Sequence, residues 1–267
     1  MARVISIVSG KGGVGKTTVA CYLSRALSKL NKRVLVIDGD YSLNNLDITF
    51  GTDCNPNYDL SDFLQGRCRL KQALISDPVS RDVMILTSDR TPVGANGTEY
   101  LKAGLTSFLR VFDYILIDAP AGIDEGFLRA VDVSNEALVV TTPYPPSLRD
   151  ADKVISLLEG NKIDKISVLV NRARPDLMID GRCFSVLQIQ DLLCRKIVGV
   201  IPEDDALLTS NGGDIKKHTR AYKALLETAK NIDTGKIKIT PPKVGFSGLL
   251  GNLKKGGILN NYDIQKQ

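Results

Sequence analysis

Nowhere does the 267-residue chain hold an uninterrupted apolar run of the roughly 18–20 residues that cross a bilayer. The first nine residues carry a single early Arg3 and a short apolar stretch that runs straight into a glycine-rich loop. With no small-residue cleavage site there, no secretory signal is expected. The five cysteines (Cys21, Cys54, Cys68, Cys183 and Cys194) are odd in number, scattered and without a C-x-x-C pair. That pattern argues against a zinc or iron–sulfur site and for reduced thiols in a cytoplasm. Repeats and low-complexity tracts are also missing. What remains is 43% hydrophobic and 24% charged, a globular composition that excludes disordered, collagen-like and coiled-coil chains. The length suits one large domain or two small ones.

Net charge is +5, and its placement matters more than its size. Residues 236–267 hold six lysines (Lys236, Lys238, Lys243, Lys254, Lys255 and Lys266) against the single acid Asp263, so the rest of the chain is neutral. A neutral body with a basic tail points to a localised anionic partner such as lipid, rather than to an all-over nucleic-acid binder.

Short, β-branched apolar runs at residues 4–8, 34–37, 83–86, 114–117, 137–140, 166–170 and 197–201 read as strands buried on both faces. Stretches with helical spacing lie between them, at residues 17–30, 122–130, 147–158, 185–193 and 218–229. The alternation predicts an α/β fold, a mostly parallel sheet with helices on both faces. Ser147, Leu148, Arg149 and Asp150 have the form of a capping box opening one helix, just after Pro143, Pro145 and Pro146. Composition shifts once, at residues 235–242, which sets an expected boundary between a folded domain of residues 1–235 and a basic linker and tail of residues 236–267.

Gly10-Lys11-Gly12-Gly13-Val14-Gly15-Lys16-Thr17 satisfies G-x-x-x-x-G-K-[ST] between a predicted strand and a predicted helix, the context that a phosphate-binding P-loop requires. Glycines let successive N–H groups turn into one concavity, and the helix N-terminus adds its positive dipole end. Lys16 is placed to reach the β- and γ-phosphates of a nucleotide and the Thr17 hydroxyl to ligate Mg²⁺. Asp38 and Asp40 follow the second predicted strand and Asp118 ends another. Ligands of open α/β sheets bind at such strand ends, so the three carboxylates converge on the loop. Asp118 reads as the Walker B aspartate that holds Mg²⁺, and Asp40 as the group that positions the attacking water. Asp38 taken alone also fits a turn or helix cap.

The additional lysine of the loop, Lys11, marks a deviant Walker A sequence. With Thr18 after the loop, Asn45-Leu46-Asp47 as a first switch, Asp118-Ala119-Pro120-Ala121-Gly122-Ile123 as a second, Arg149-Asp150-Ala151-Asp152 and Gly199-Val200-Ile201-Pro202-Glu203-Asp204, the chain resembles the MinD septum-site-determining ATPases of the MinD/ParA group over nearly its whole length. The resemblance implies a P-loop NTPase fold and a Mg²⁺-dependent ATPase that dimerises on ATP, with Lys11 reaching across a nucleotide-sandwiched homodimer. The alternative for Lys11 is an exposed charge that helps phosphate binding in its own subunit. Contacts to nucleotide are implied for Gly10, Lys11, Gly12, Gly13, Val14, Gly15, Lys16, Thr17 and Thr18. Asn171 and Arg172, which end a strand, with Pro202 and Glu203, are the implied adenine contacts, and Thr17, Asp38 and Asp118 the metal contacts. The implied cell biology is docking on the inner face of the cell membrane, recruitment of a MinC-like division inhibitor, and release by a hydrolysis-stimulating partner such as MinE or a topological factor. A ParA-like DNA-partition role and a flagellar-positioning role are the alternatives. Ser42, Asn44 and Tyr144 depart from the family pattern.

Two motifs compete for other readings. Asn161-Lys162-Ile163-Asp164 spells the guanine-specifying N-K-x-D, yet it precedes a strand instead of following one and reads as a solvated loop. His218, the single histidine, stands in a polar stretch and reads as a surface residue. In the tail, Phe246, Leu249, Leu250 and Leu253 fall at i, i+3, i+4 and i+7, one face of a helix flanked by Lys254 and Lys255. It looks like the membrane-targeting helix of the family. Gly245, Gly248 and Gly251 each weaken a helix by about 1 kcal/mol, so folding is expected on a surface and not in water. Four apolar side chains at about 1.5–3 kcal/mol each, with about 1 kcal/mol per lysine near anionic lipid, barely exceed the ordering cost. One tail is therefore expected to bind poorly, while two tails on one dimer gain about 10²-fold or more.

Overall fold

A computed structural model describes residues 2–40, 46–52, 58–87 and 97–240. The elements run β1 (Arg3–Val8), α1 (Lys16–Ser28), β2 (Val34–Asp38), α2 (Leu46–Phe50), α3 (Leu60–Leu64), α4 (Leu70–Ala73), β3 (Ile75–Ser76), β4 (Val83–Leu86), α5 (Gly97–Phe108) and β5 (Tyr114–Asp118). They continue with α6 (Glu125–Asp132), β6 (Glu136–Thr141), α7 (Pro145–Gly160), β7 (Lys165–Ala173), α8 (Pro175–Ile179), α9 (Val186–Leu193), β8 (Ile197–Pro202), α10 (Asp205–Leu208) and α11 (Arg220–Thr234). All seven expected strands form, and one eight-stranded sheet takes the order β3-β4-β2-β5-β1-β6-β7-β8. Every pairing is parallel except the short β3 with β4.

Strand side chains alternate between the two faces, and because successive residues are nearly all apolar both faces of the sheet are apolar. On one face Val4, Val8, Ile115 and Ile117 pack against α5, α6, α7 and α9. On the other, Ile5, Ile7, Tyr114 and Leu116 pack against α1, α2 and α11. The chain crosses from β1 to β2 in one direction and from β5 to β6 in the other, so the strand order reverses around β1 and a crevice opens at the carboxyl ends there.

One expectation fails in detail. The helix assigned to a capping box at residues 147–150 begins earlier, at Pro145, with Tyr144 as the N-cap residue. Proline suits the first helical positions, where its missing N–H needs no partner and its φ is already set. Ser147 is buried and serves elsewhere: its hydroxyl meets Thr141 Oγ1 at 2.9 Å and accepts the Thr142 N–H at 3.0 Å, tying the end of β6 to α7.

Gly235, with φ of 71°, ends α11 where the composition shift begins. Beyond it residues 236–240 turn back along the body. The Asn231 side chain donates to Lys238 O at 2.7 Å and Val198 O at 3.0 Å and accepts the Lys238 N–H at 3.0 Å. The Glu227 carboxylate accepts from the Thr240 backbone and hydroxyl. Phe246, Leu249, Leu250 and Leu253, with the rest of residues 241–267, lie outside the described residues.

Candidate nucleotide-binding site

The loop between β1 and α1 is the centre of the site. Gly13 and Gly15 have φ of 80° and 89°, left-handed values that glycine adopts without strain. Gly15 is the N-cap residue of α1, with no side-chain cap and no acidic residue in the first turn. The helix therefore presents its leading N–H groups and dipole end to whatever lies in the loop. Close packing sets the loop's position: a Cβ on Gly10 would run into the Asp150 backbone of α7. Ser9 O also accepts the Gly122 N–H at 3.1 Å, joining the loop to the segment after β5. Lys11 is exposed on this loop.

Beneath it the carboxylates converge. Asp38 and Asp118 are register partners on the adjacent strands β2 and β5, and only 1% and 2% exposed. Lys16, itself 9% exposed, places Nζ 2.8 Å from Asp118 Oδ1. Burial pushes the Asp118 carboxyl up, opposed by Lys16 and Thr17, whose side chain faces the same carboxylate. Burial likewise pushes Asp38 up to about 7, with the neighbouring charges of Asp118 and Asp40 adding to the rise. Asp38 Oδ1 accepts the Asp40 N–H at 2.9 Å, whereas Oδ2 is buried with no hydrogen-bond partner. A buried carboxylate oxygen left unpaired beside a second buried carboxylate is what a divalent cation would satisfy.

Among the described residues no three His, Cys, Asp or Glu side chains cluster as a dedicated metal cage. Mg²⁺ takes one or two carboxylates and completes its octahedron with phosphate oxygens and water. Thr17, Asp38 and Asp118 fit such a role.

A cleft of about 160 Å³ continues from Gly15 and Thr18 to Asn171, Arg172, Pro202, Glu203, Asp204, Leu207 and Leu208. It joins the expected adenine contacts to the loop, since β7 and β8 end beside α1. Asn171 is deeper than a surface base contact requires: it is 5% exposed, and its Nδ2 donates to Val14 O at 2.8 Å. Arg174, paired with Asp176 at 2.7 Å and Glu203 at 3.4 Å, lines an adjoining cavity that shares Glu203, Asp204 and Leu208 with this cleft, and the sequence reading does not single it out. Its only signal was its place three residues after Asn171. The residues set aside are where expected: Asn161 and Lys162 are exposed in the turn before β7, and His218 is exposed.

Residues 5–215 match the CobQ/CobB/MinD/ParA nucleotide-binding domain. The septum site-determining protein MinD of Synechocystis sp. is 40% identical over 211 residues, 79% of each chain. The chain belongs to the MinD family. Among solved structures of that family, the MinC:MinD cell division complex of Aquifex aeolicus is 36% identical with a TM-score of 0.82, covering 90% of this chain and 99% of that one. MinD of Pyrococcus horikoshii complexed with Mg-ADP is 31% identical with a TM-score of 0.76, over 87% and 96%. The MinD family consists of nucleotide-binding P-loop ATPases of cell division, and the fold and the phosphate loop expected from the sequence are both present here. Among the described residues no helix is long and apolar enough to cross a membrane.

Proposed function

We propose that this chain is an ATP-driven switch that hydrolyses ATP to ADP and phosphate, pairs with a second copy when ATP is bound, and docks on anionic membrane to recruit a MinC-like inhibitor of division. The observation that carries the reading is the uncapped N-terminus of α1, opened by Lys16, beside two buried carboxylates, one with an unpaired oxygen.

In this reading the N–H groups of residues 10–17 and Lys16 hold the phosphates, and the cleft from Asn171 to Glu203 holds the base. Thr17, Asp38 and Asp118 hold Mg²⁺, which neutralises charge on the β- and γ-phosphate oxygens when bound. Asp40, at the rim beside Asp38, orients the attacking water. Lys11, exposed on the loop, reaches the phosphates of the partner copy across a dimer. Residues 236–267 form the linker and tail, in which Phe246, Leu249, Leu250 and Leu253 enter the lipid surface and Lys254 and Lys255 meet its headgroups. Pairing brings two weak tails to one surface, so nucleotide state becomes membrane state.

Co-sedimentation with anionic liposomes and with DNA, each in ATP and in ADP, is the deciding experiment. Retention on liposomes in ATP, loss in ADP, and abolition by Leu250→Glu are expected. Retention on DNA alone would favour a partition ATPase instead. Lys11→Ala is expected to bind ATP yet remain monomeric by light scattering; a normal ATP-dependent dimer would remove the cross-subunit role.

A further inference from the structure

Asn171 lies on β7, directly under the phosphate loop, and its amide nitrogen holds the Val14 carbonyl at 2.8 Å. A Cβ on the next residue, Gly15, would collide with that same nitrogen. One hydrogen bond therefore holds a single peptide of the loop from below, and the close approach of the same nitrogen requires glycine at position 15. That peptide is planar, so its N–H points opposite to its carbonyl. With the Val14 oxygen drawn down onto Asn171, the Gly15 N–H is aimed up into the concavity of the loop. Gly15 is also the residue whose left-handed φ of 89° opens α1, so the orientation of this peptide sets where the helix N-terminus faces.

We infer that Asn171 is a positioning residue of the phosphate loop, holding the Val14–Gly15 peptide so that its N–H faces a bound polyphosphate. A base contact is compatible with this, because a primary amide that gives one N–H to Val14 keeps a second N–H and an oxygen for the edge of adenine. The inference rests on the phosphate-binding reading proposed above, and it makes a claim that a base-reading role does not. Asn171 matters for a ligand that has no base.

The test is calorimetric binding of Mg-ATP and of Mg-tripolyphosphate to the full chain, as wild type, Asn171→Ala and the near-isosteric Asn171→Asp, with thermal unfolding measured alongside. Loss of a buried, loop-orienting hydrogen bond is expected to weaken both ligands by a similar factor of about tenfold in Asn171→Ala. Asn171→Asp, which faces the Val14 carbonyl with no donor, is expected to lose at least as much. Weaker ATP binding with unchanged tripolyphosphate binding would make Asn171 a reader of the base alone and overturn the inference. A lower unfolding midpoint with unchanged affinity for both ligands, or variants that do not fold, would make it a core residue and overturn it equally. Wild-type protein that binds neither ligand would instead overturn the phosphate-binding reading itself.

Discussion

The two ends of the sheet treat charge in opposite ways. At the carboxyl ends Asp38 and Asp118 are buried side by side, with the buried Lys16 paired to Asp118, and burial drives both carboxyls up. At the amino ends Glu136 takes Arg3 Nε and Nη2 at 2.6 Å each and Lys165 at 3.1 Å. The Tyr114 hydroxyl donates to Asp233 Oδ1 at 2.7 Å, which also pairs with Lys32 at 2.9 Å. Burial alone would raise Glu136 and Asp233, but their cations and hydrogen bonds outweigh it and hold both below the usual carboxylate range. One end is left under-neutralised and has an unpaired oxygen, as a site for a cation and phosphates requires. The other is fully partnered and locks β1, β5, β6 and the end of α11 together. Stability and ligand binding are thus separated along the strands, and substitutions can show how completely.

The largest effect is expected for Asp40→Ala. If this carboxylate orients water, phosphate release falls by about 10²-fold or more while ATP binding persists. Unchanged turnover would assign the role elsewhere, with Asp38 next in line.

Lys16→Ala comes second, since it removes the buried cation that pairs with Asp118 and a charge-assisted bond to phosphate. ATP affinity is expected to drop by about 100-fold in equilibrium dialysis.

Glu136→Gln attacks the other end. It strips Arg3 of a two-point partner and Lys165 of its carboxylate, with an expected cost of about 1–3 kcal/mol. At about 2–4 °C per kcal/mol, the thermal midpoint falls by several degrees with ATP affinity unchanged. Because the folded pKa of Glu136 is depressed, its contribution is present above the ordinary carboxylate range and is lost as pH falls through the folded value. A Glu136→Gln variant that bound ATP poorly would break the separation of the two ends.

The smallest effect has the reverse sign. Asp38→Asn relieves a buried charge, so the ligand-free protein is expected to unfold a few degrees higher at neutral pH. Asp38 is raised from 3.8 to about 7, so the charge costs nothing below both values and its full amount above both. The gain from Asn should therefore grow as pH rises through that window, while Mg²⁺-dependent nucleotide binding weakens. A gain independent of pH would mean that burial of this carboxylate carries no charge penalty.

The strands were legible because residues buried on both faces must be apolar throughout, as in 34–37 and 114–117, and the sequence between them was long enough for crossover helices. The phosphate loop was legible because its backbone path demands glycine at Gly13 and Gly15 and its ligand demands Lys16. The helices not anticipated are the twelve-residue α5 and the short α2, α3, α4, α8 and α10, together with the two-residue β3; the short ones are too brief to show a period. They depend on contacts far away in the chain. Arg25 of α1 shows this, reaching Asp77 through two hydrogen bonds of 2.7 and 2.9 Å, with others to Phe50 O, Gly212 O and Gly213 O. A helical arginine looks like any solvated charge in the sequence, yet this one is 3% exposed.

The sequence by itself determined the kind of chemistry here: a glycine path that turns N–H groups inward, a lysine at the head of a helix, and acids at strand ends. It did so because each requirement is local and few residue types meet it. Tertiary structure alone decided how those groups act on one another. Asp38 lies 80 residues from Asp118 in the chain, and only the pairing of β2 with β5 sets them side by side and out of water, where their charges become costly. Asn171 is 157 positions from Val14, and only the descent of β7 beneath the loop turns a strand-end amide into the support of a phosphate-binding peptide. Burial and proximity between distant segments have no local pattern to announce them, so the strength and direction of these interactions emerge only when the sheet closes.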